Sequence, residues 1–390
     1  MNEVVILSAV RTPIGKMGRQ LANYSAVQLG TLTAKAAIRE ARIQPDIIDQ
    51  TIVGNVLQAG SGQNVARQIS LKAGLPVTST AMTINQVCGS GIKAIRLAQS
   101  AILLGDANVV LVGGTESMSN VPYLLPDMRR GSKYGERKIL DGIEHDALRD
   151  ALTQELMGMT AENIAAKYHV SRAEQDRFAL RSHQRALTAT EAGYFENEIV
   201  PVPLTAKTAN QMTRDEAIRP DTSIEALRHL KPAFKTDGTV TAGNSAGLND
   251  GASMLVLMSK TAAETAGLDY LAVLDGYQEV GIDPSIMGYA PYYAVSQLLQ
   301  KQGKTITDID RYELNEAFAA QSVAVSRDLK IPDDRLNVNG GAIALGHPVG
   351  ASGARIMTTL VHDLQREHLE SGLAAICIGG GMGIALSIHR

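Results

Sequence analysis

Along the first third of the chain, the spacing of apolar residues switches repeatedly between two periods. Short apolar runs at 4–8, 50–56, 80–84 and 107–113 read as buried strands. Between them, apolar positions recur at helical spacing over 25–42, 64–73 and 92–103. Strands alternating with helices imply an α/β domain with a largely parallel sheet covered on both faces. The run ANVVLVGG reads as the last of these strands, ended by its paired glycines.

From 119 to 241 the texture changes. A basic, glycine-punctuated segment (128–138) precedes a helical stretch at 160–168. Ser171 and Glu174 then form a capping-box start to an amphipathic helix running to about 191, and a proline-bounded strand follows at 199–204. This reads as a large insertion over one face of the core, with Arg129 to Lys138 as solvated surface. Beyond it the chain repeats itself. DIIDQTIVGNV and a helix ending KAGLP (46–76) are answered by DIDRYELNEAF and a helix ending DLKIP (308–332), and ANVVLVGGTESM by AAICIGGGMGIAL. An internal duplication explains both pairs: two similar α/β units whose loop ends converge on a shared cleft.

Composition narrows the classes. A chain of 390 residues has room for two or three domains, and 45% hydrophobic and 20% charged residues fit an ordinary globular protein. A net charge of −3 gives no electrostatic case for nucleic acid or an anionic membrane. No run approaches the ~20 apolar residues of a membrane span, and the apolar N-terminal run is a first strand rather than a signal peptide. The two cysteines show no CxxC spacing, so neither a zinc cluster nor a disulfide framework is expected; a reducing, cytoplasmic setting is.

Four stretches carry chemistry. In NQVCGSG, Cys88 stands between a strand end and a helix, where free N–H groups and the helix dipole favour thiolate and Gly89 and Gly91 keep bulk away. A small buried hydrophobe is the alternative, and this stretch alone leaves both open. NVNGGAIALGHPVGASG is too rich in glycine for regular structure and fixes His347 on a shaped loop, as a catalytic group or as a turn histidine. His183, His362 and His368 lie on charged helical faces and read as solvated. In AAICIGGGMG, Cys377 ends an apolar strand before four glycines; a dinucleotide loop needs a following helix and acidic residue that are lacking, so the glycines read as a hairpin turn. In NEAFA, Asn315 sits where strand meets helix, and Glu316 reads as a helix cap.

Taken in order, these four motifs resemble those of the thiolases over essentially the whole chain, with TVTAGN (239–244) and MGMTAEN (157–163) in support. The resemblance implies a five-layered αβαβα fold of two similar halves, 1–118 completed by about 242–270 and 271–390, with 119–241 as an inserted loop domain over the coenzyme A site. It implies reversible Claisen condensation of two acetyl-CoA to acetoacetyl-CoA by a ping-pong route, without a further cofactor. Cys88 resembles the acylated nucleophile, activated by His347, and Cys377 the acid/base for the α-proton. Asn315 and His347 would shelter the enolate, and the N–H groups of Cys88 and Gly379 the tetrahedral oxyanion.

By family position, Arg219 lies near the adenine, and Phe234, Ser245, Ala246, Met157, Met287 and Phe318 lie along the pantetheine arm and acyl pocket. For the two phenylalanines and Met287, ordinary core packing is the alternative. The family also implies a homo-oligomer, a dimer or dimer of dimers. Two departures bear on the substrate: Leu156 stands where many short-chain members have histidine, and TAGNSAG replaces TAGNASG, leaving Ala246 where those members have serine. A broader, degradative 3-ketoacyl-CoA thiolase is therefore the alternative activity. A silent acyl-CoA binding protein is disfavoured by the presence of Cys88, Asn315, His347 and Cys377.

Overall fold

Strand β1 (Val4–Arg11) already contains the layering of the molecule. Val4, Ile6 and Ala9 face one core, while Val5, Leu7 and Val10 face another. A register shift between Ile6 and Ser8 accounts for the change of parity along the strand. In the computed structural model, which describes residues 3–204 and 210–390, β1 lies at the middle of one long sheet. The other main strands are β2 (Gln50–Gly54), β3 (Thr80–Ile84), β4 (Val109–Ser117), β5 (Asn249–Ser259), β6 (Ala272–Gly281), β7 (Arg311–Leu314), β8 (Ser371–Ile378) and β9 (Met382–His389). Their order is β7-β8-β9-β6-β1-β5-β4-β2-β3.

The sheet is not largely parallel. Between these strands, parallel pairing is confined to β2 with β3 and β4, and to β7 with β8. The central pairs β4/β5, β5/β1, β1/β6, β6/β9 and β8/β9 are antiparallel. A strand buried on both faces reads the same in either direction, so its apolar run does not encode this. Strand β4 also runs on through Gly113 and Gly114 to Ser117. Those glycines are there for clearance: a Cβ on Gly113 would lie 2.1 Å from the Ser253 carbonyl oxygen, and one on Gly114 would lie 2.1 Å from that of Gly350.

Eight helices supply most of the remaining layers. Helices α1 (Ala26–Glu40) and α2 (Val65–Ala73) cover the outer face of the first half. Helices α3 (Ser90–Leu104) and α8 (Val349–Glu367) fill the space between the halves. Helices α6 (Ala290–Gln302) and α7 (Ala319–Leu329) cover the far face with help from α4 (Met157–Lys167) and α5 (Arg172–Glu191). The result is α on β on α on β on α. Ser25 and Ser171 both form full capping boxes, and α3 begins two residues before the apolar spacing predicts.

The duplication is visible in three dimensions. The β2–α2 and β7–α7 units each follow a 3-10 turn (Pro45–Ile47, Ile306–Asp308), and β2 and β7 pair parallel with β4 and β8. The insertion leaves after β4 and returns at β5. Its strand at 199–204 reduces to Val202–Pro203, and residues 205–209 lie outside the described residues. The stretch Val87–Leu104 is long and apolar enough to cross a membrane by length and composition, which the sequence pattern did not suggest; here it is 56% buried, as the central helix α3.

The two central helices cross at their first turns. A Cβ on Gly91 would lie 2.4 Å from the Ala354 backbone nitrogen, and one on Gly353 would lie 2.5 Å from that of Ile92. Cys88 and His347 stand just before these helices, and Cys88 packs against a cluster that includes Val349 of α8. Gly91→Ala forces the helices apart and is expected to cost about 1–3 kcal/mol, read as a lower urea midpoint with unchanged slope.

Candidate active site

Cys88 sits in a tight turn between β3 and α3, half-buried against the apolar cluster of Val56, Leu57, Met118, Ile143, Ala147 and Val349. Gly89, not Cys88, is the N-cap, so the thiol stands one residue outside the helix. The N–H groups of Gly379 and of Cys88 itself reach the sulfur. Burial outweighs them and, with a smaller contribution from the Glu116 carboxylate, pushes the thiol up to about 12. The expectation that the helix terminus makes a resting thiolate is therefore corrected: desolvation wins, and a base is needed.

His347 is suited to be that base. Its backbone N–H donates to Asn249 Oδ1 at 2.9 Å, and its Nδ1 lies 2.5 Å from Ser352 Oγ. The Ser352 hydroxyl donates to the Pro348 carbonyl at 3.0 Å, which leaves its oxygen to accept the ring proton from Nδ1. Nε2 then carries the free lone pair, and this buried atom has no partner among the described residues. Burial, with the nearby Arg355 charge, pulls the imidazole down to about 4, so it is neutral at pH 7.

Cys377 is fully buried at the end of β8, its Sγ 3.3 Å from Gln321 Oε1. Burial and then the neighbouring Cys88 push this thiol up, so the two sulfurs are close enough to feel each other's charge. The glycines after it turn the β8–β9 hairpin, pairing Ile378 with Met382 as the sequence suggests. Asn315 follows β7; its N–H donates to the Ala375 carbonyl, but both polar atoms of its side chain are buried without partners among the described residues.

The expected coenzyme A residues fall into two adjoining groups. Arg219 and Ser245 line a cavity of about 280 Å³ with Lys16, His183, Leu248 and Asn249, the residue that holds the His347 backbone. Met157, Met287, Ala317, Phe318 and Cys377 form one apolar cluster, and Phe234 meets Phe318 edge-on with ring centroids 6.1 Å apart. The Ala246 N–H donates to the Ala317 carbonyl, and Ser245 Oγ donates to that of Thr241, which ties the first group to the second. Leu156, at the N-cap of α4, is half-buried.

Three residues have roles that the sequence did not reveal. His183 is not solvated: it is buried, accepts the Arg219 N–H, and is pulled down to about 4 by burial and Arg219. Glu316 is no helix cap, since Phe318 holds that position; it is buried and accepts from Ser182, Asn337 and the Ile343 N–H, fixing the loop that leads to His347. Glu116 accepts from Asn55 and from the N–H groups of Val56, Leu57 and Gly350, tying the wall beside Cys88 to the start of α8. A lone carboxylate directly after an apolar run, as in GGTES and YELNE, was the available signal. His362 is half-buried, within hydrogen-bond reach of the Ala9 carbonyl, while His368 and the segment from Arg129 to Lys138 are exposed as expected.

One buried and one half-buried thiol, a neutral imidazole with a free lone pair and an unpaired amide define an acyl-transfer site. The chain matches the thiolase N-terminal domain over 4–261 and the thiolase C-terminal domain over 268–390. It belongs to the thiolase family, whose members are acyltransferases. It is 50% identical over 390 residues to the acetyl-CoA acetyltransferase of Chromobacterium violaceum, and 49% identical over 392 residues to a probable acetyl-CoA acyltransferase of Staphylococcus aureus, with 100% of both chains covered in each case. Among solved structures, it superposes on the Bacillus anthracis acetyl-CoA acetyltransferase with a TM-score of 0.97 at 44% identity, covering 100% of this chain and 99% of that one. Human mitochondrial 3-ketoacyl-CoA thiolase in complex with CoA gives 0.96 at 43% identity, covering 100% and 98%.

A thiol raised this far is thiolate in a fraction that grows tenfold per pH unit across the neutral range. Alkylation of Cys88 by iodoacetamide, followed by peptide mass analysis, is expected to accelerate about tenfold per unit from pH 7 to 9. A rate that is flat from pH 6 upward would show a preformed thiolate instead.

Proposed function

We propose that the chain condenses two acetyl-CoA to acetoacetyl-CoA and CoA, reversibly and by a ping-pong route through acyl-Cys88. The observation that carries this reading is the set of orphaned polar atoms, His347 Nε2 and both amide atoms of Asn315, in an interior that also holds two thiols. Buried polar groups are normally paired, so a site that leaves three unpaired is built for a ligand.

The steps balance in protons. His347 Nε2 takes the Cys88 proton as the sulfur attacks the first thioester carbonyl, and the N–H groups of Cys88 and Gly379 hold the oxyanion. Cys377 protonates the departing CoA sulfur and is left as thiolate. That thiolate removes the α-proton of the second acetyl-CoA, whose enolate oxygen is held by His347 and by a water on Asn315. Carbon–carbon bond formation expels Cys88, which recovers its proton from His347. In this reading the chain needs no cofactor beyond the CoA thioesters. Arg219 lies at the adenine, and Ser245, Ala246, Phe234, Met157, Met287 and Phe318 lie along the arm and acyl pocket.

The proposal includes a homo-oligomer in the cytoplasm, a dimer or dimer of dimers. Among the described residues, edge strand β3 has one side unpaired with Met82 exposed, and both cysteines are free thiols, in keeping with a reducing compartment.

A second reading, a broader 3-ketoacyl-CoA thiolase, is favoured by a cavity of about 430 Å³ beside Gly379, whose apolar lining includes Val56, Val87, Ala147, Leu152 and Met157. Comparing cleavage of acetoacetyl-CoA with that of a longer 3-oxoacyl-CoA separates the two, and a clear preference for the longer substrate favours the second.

Incubation with acetyl-CoA is expected to leave an acetyl group on Cys88, and an unmodified Cys88 would overturn the mechanism. Cys377→Ala is expected to acetylate normally yet lose about 10²–10⁴-fold in condensation, measured as acetoacetyl-CoA formed. Loss of acetylation in that variant would mean that the two thiols have other roles.

A further inference from the structure

The residue before the nucleophile is strained. Val87 has φ +46°, a conformation that β-branched residues avoid. It occupies the second position of a four-residue turn, Gln86 to Gly89, closed by the Gly89 N–H donating to the Gln86 carbonyl at 3.0 Å. Cys88 does not share the positive φ, so the sign pattern is that of a type II′ turn, whose second position is dominated by glycine. A valine there persists only where the surroundings over-determine the backbone.

Part of that determination is local. Val87 N–H donates to Asn85 Oδ1 at 2.9 Å, Gln86 N–H donates to Ser90 Oγ at 2.8 Å, and Ser90 Oγ donates to the Val87 carbonyl at 2.6 Å. The other part comes from the second half of the molecule. Glu279 on β6 accepts from the Gln86 side chain with one carboxylate oxygen, and from Lys93 Nζ at 2.7 Å with the other. Tyr277 also donates to that second oxygen. Lys93 belongs to α3, and its backbone N–H donates to Gly89 at 2.9 Å. One carboxylate thus grips the residue entering the turn and the helix turn leaving it. Burial opposes the charge, but Lys93, Tyr277 and Gln86 hold Glu279 below the usual carboxylate range.

We propose that Glu279 is a positioning residue for Cys88: through Gln86 and Lys93 it holds the left-handed turn at Val87 that aims the sulfur at the Gly379 N–H. Without this grip the turn relaxes toward ordinary φ, and Cys88 moves off its donors while the fold persists. The inference rests on Cys88 as the acylated thiol, but its test does not depend on acetyl-CoA alone.

The experiment follows both acetylation by acetyl-CoA and alkylation by iodoacetamide in Glu279→Ala, Gln86→Ala, and each of these combined with Val87→Gly. Glycine adopts positive φ freely, so it restores the turn where the grip is lost. Glu279→Ala and Gln86→Ala are expected to lower the acetylation rate about tenfold with KM for acetyl-CoA unchanged, and added Val87→Gly to recover most of that loss. Failure of Val87→Gly to recover either variant, or wild-type acetylation in both single variants, overturns the proposal. If Glu279→Ala does not fold, Gln86→Ala alone decides in the same way. An unacetylated Cys88 in the wild type defeats the acyl-transfer reading instead, and the pattern of loss and recovery in alkylation then judges the turn by itself.

Discussion

The close crossing of α3 and α8 is the constraint on which the site depends. Gly91 and Gly353 let two backbones approach to a distance that a single methyl group on either would forbid. Each helix is the central helix of one half, and each is preceded by a chemistry-bearing turn. Because the crossing falls at their first turns, the two preceding segments have nowhere to go but toward each other. The turns that carry Cys88 and His347 are therefore set by helix packing rather than by any direct bond between their loops. The buried carboxylates Glu116 and Glu316 then fix the loops on either side.

The electrostatic character of the site follows from its depth. Both thiols are pushed up and the imidazole is pulled down, so at neutral pH none of the three carries charge. Desolvation dominates each shift, and the N–H groups around Cys88 only soften it. Proton transfer must then accompany bond formation, which explains why a histidine with a defined tautomer stands where it does. Ser352 sets that tautomer by spending its own proton on the Pro348 carbonyl.

Much of this was legible in the sequence. The capping box at Ser171, the duplicated strand–helix units, the hairpin after Cys377 and the four motif stretches were all present as local pattern, because capping, glycine turns and apolar periodicity are local effects. Strand direction was not legible, since β5 is buried along its whole length and its apolar run carries no polarity. The glycines of β4 were misread as a strand end because their cause, the backbones of Gly350 and Ser253, is remote in sequence. The Cys88 shift, the burial of His183 and the anchoring by Glu316 failed for the same reason: each depends on what covers the residue, and that is a tertiary property.

The position of β1 has a consequence for how the molecule is made. The strand that joins the two halves is flanked by β5 on one side and β6 on the other. Both partners lie more than two hundred residues downstream, so during synthesis β1 has neither edge paired until most of the chain has emerged. Its alternating Val-Val-Ile-Leu surface must wait, exposed, through the synthesis of the entire insertion. Folding of the first half cannot close before β5 is made, and that wait is set by the connection order of its central strand rather than by the chemistry of its site.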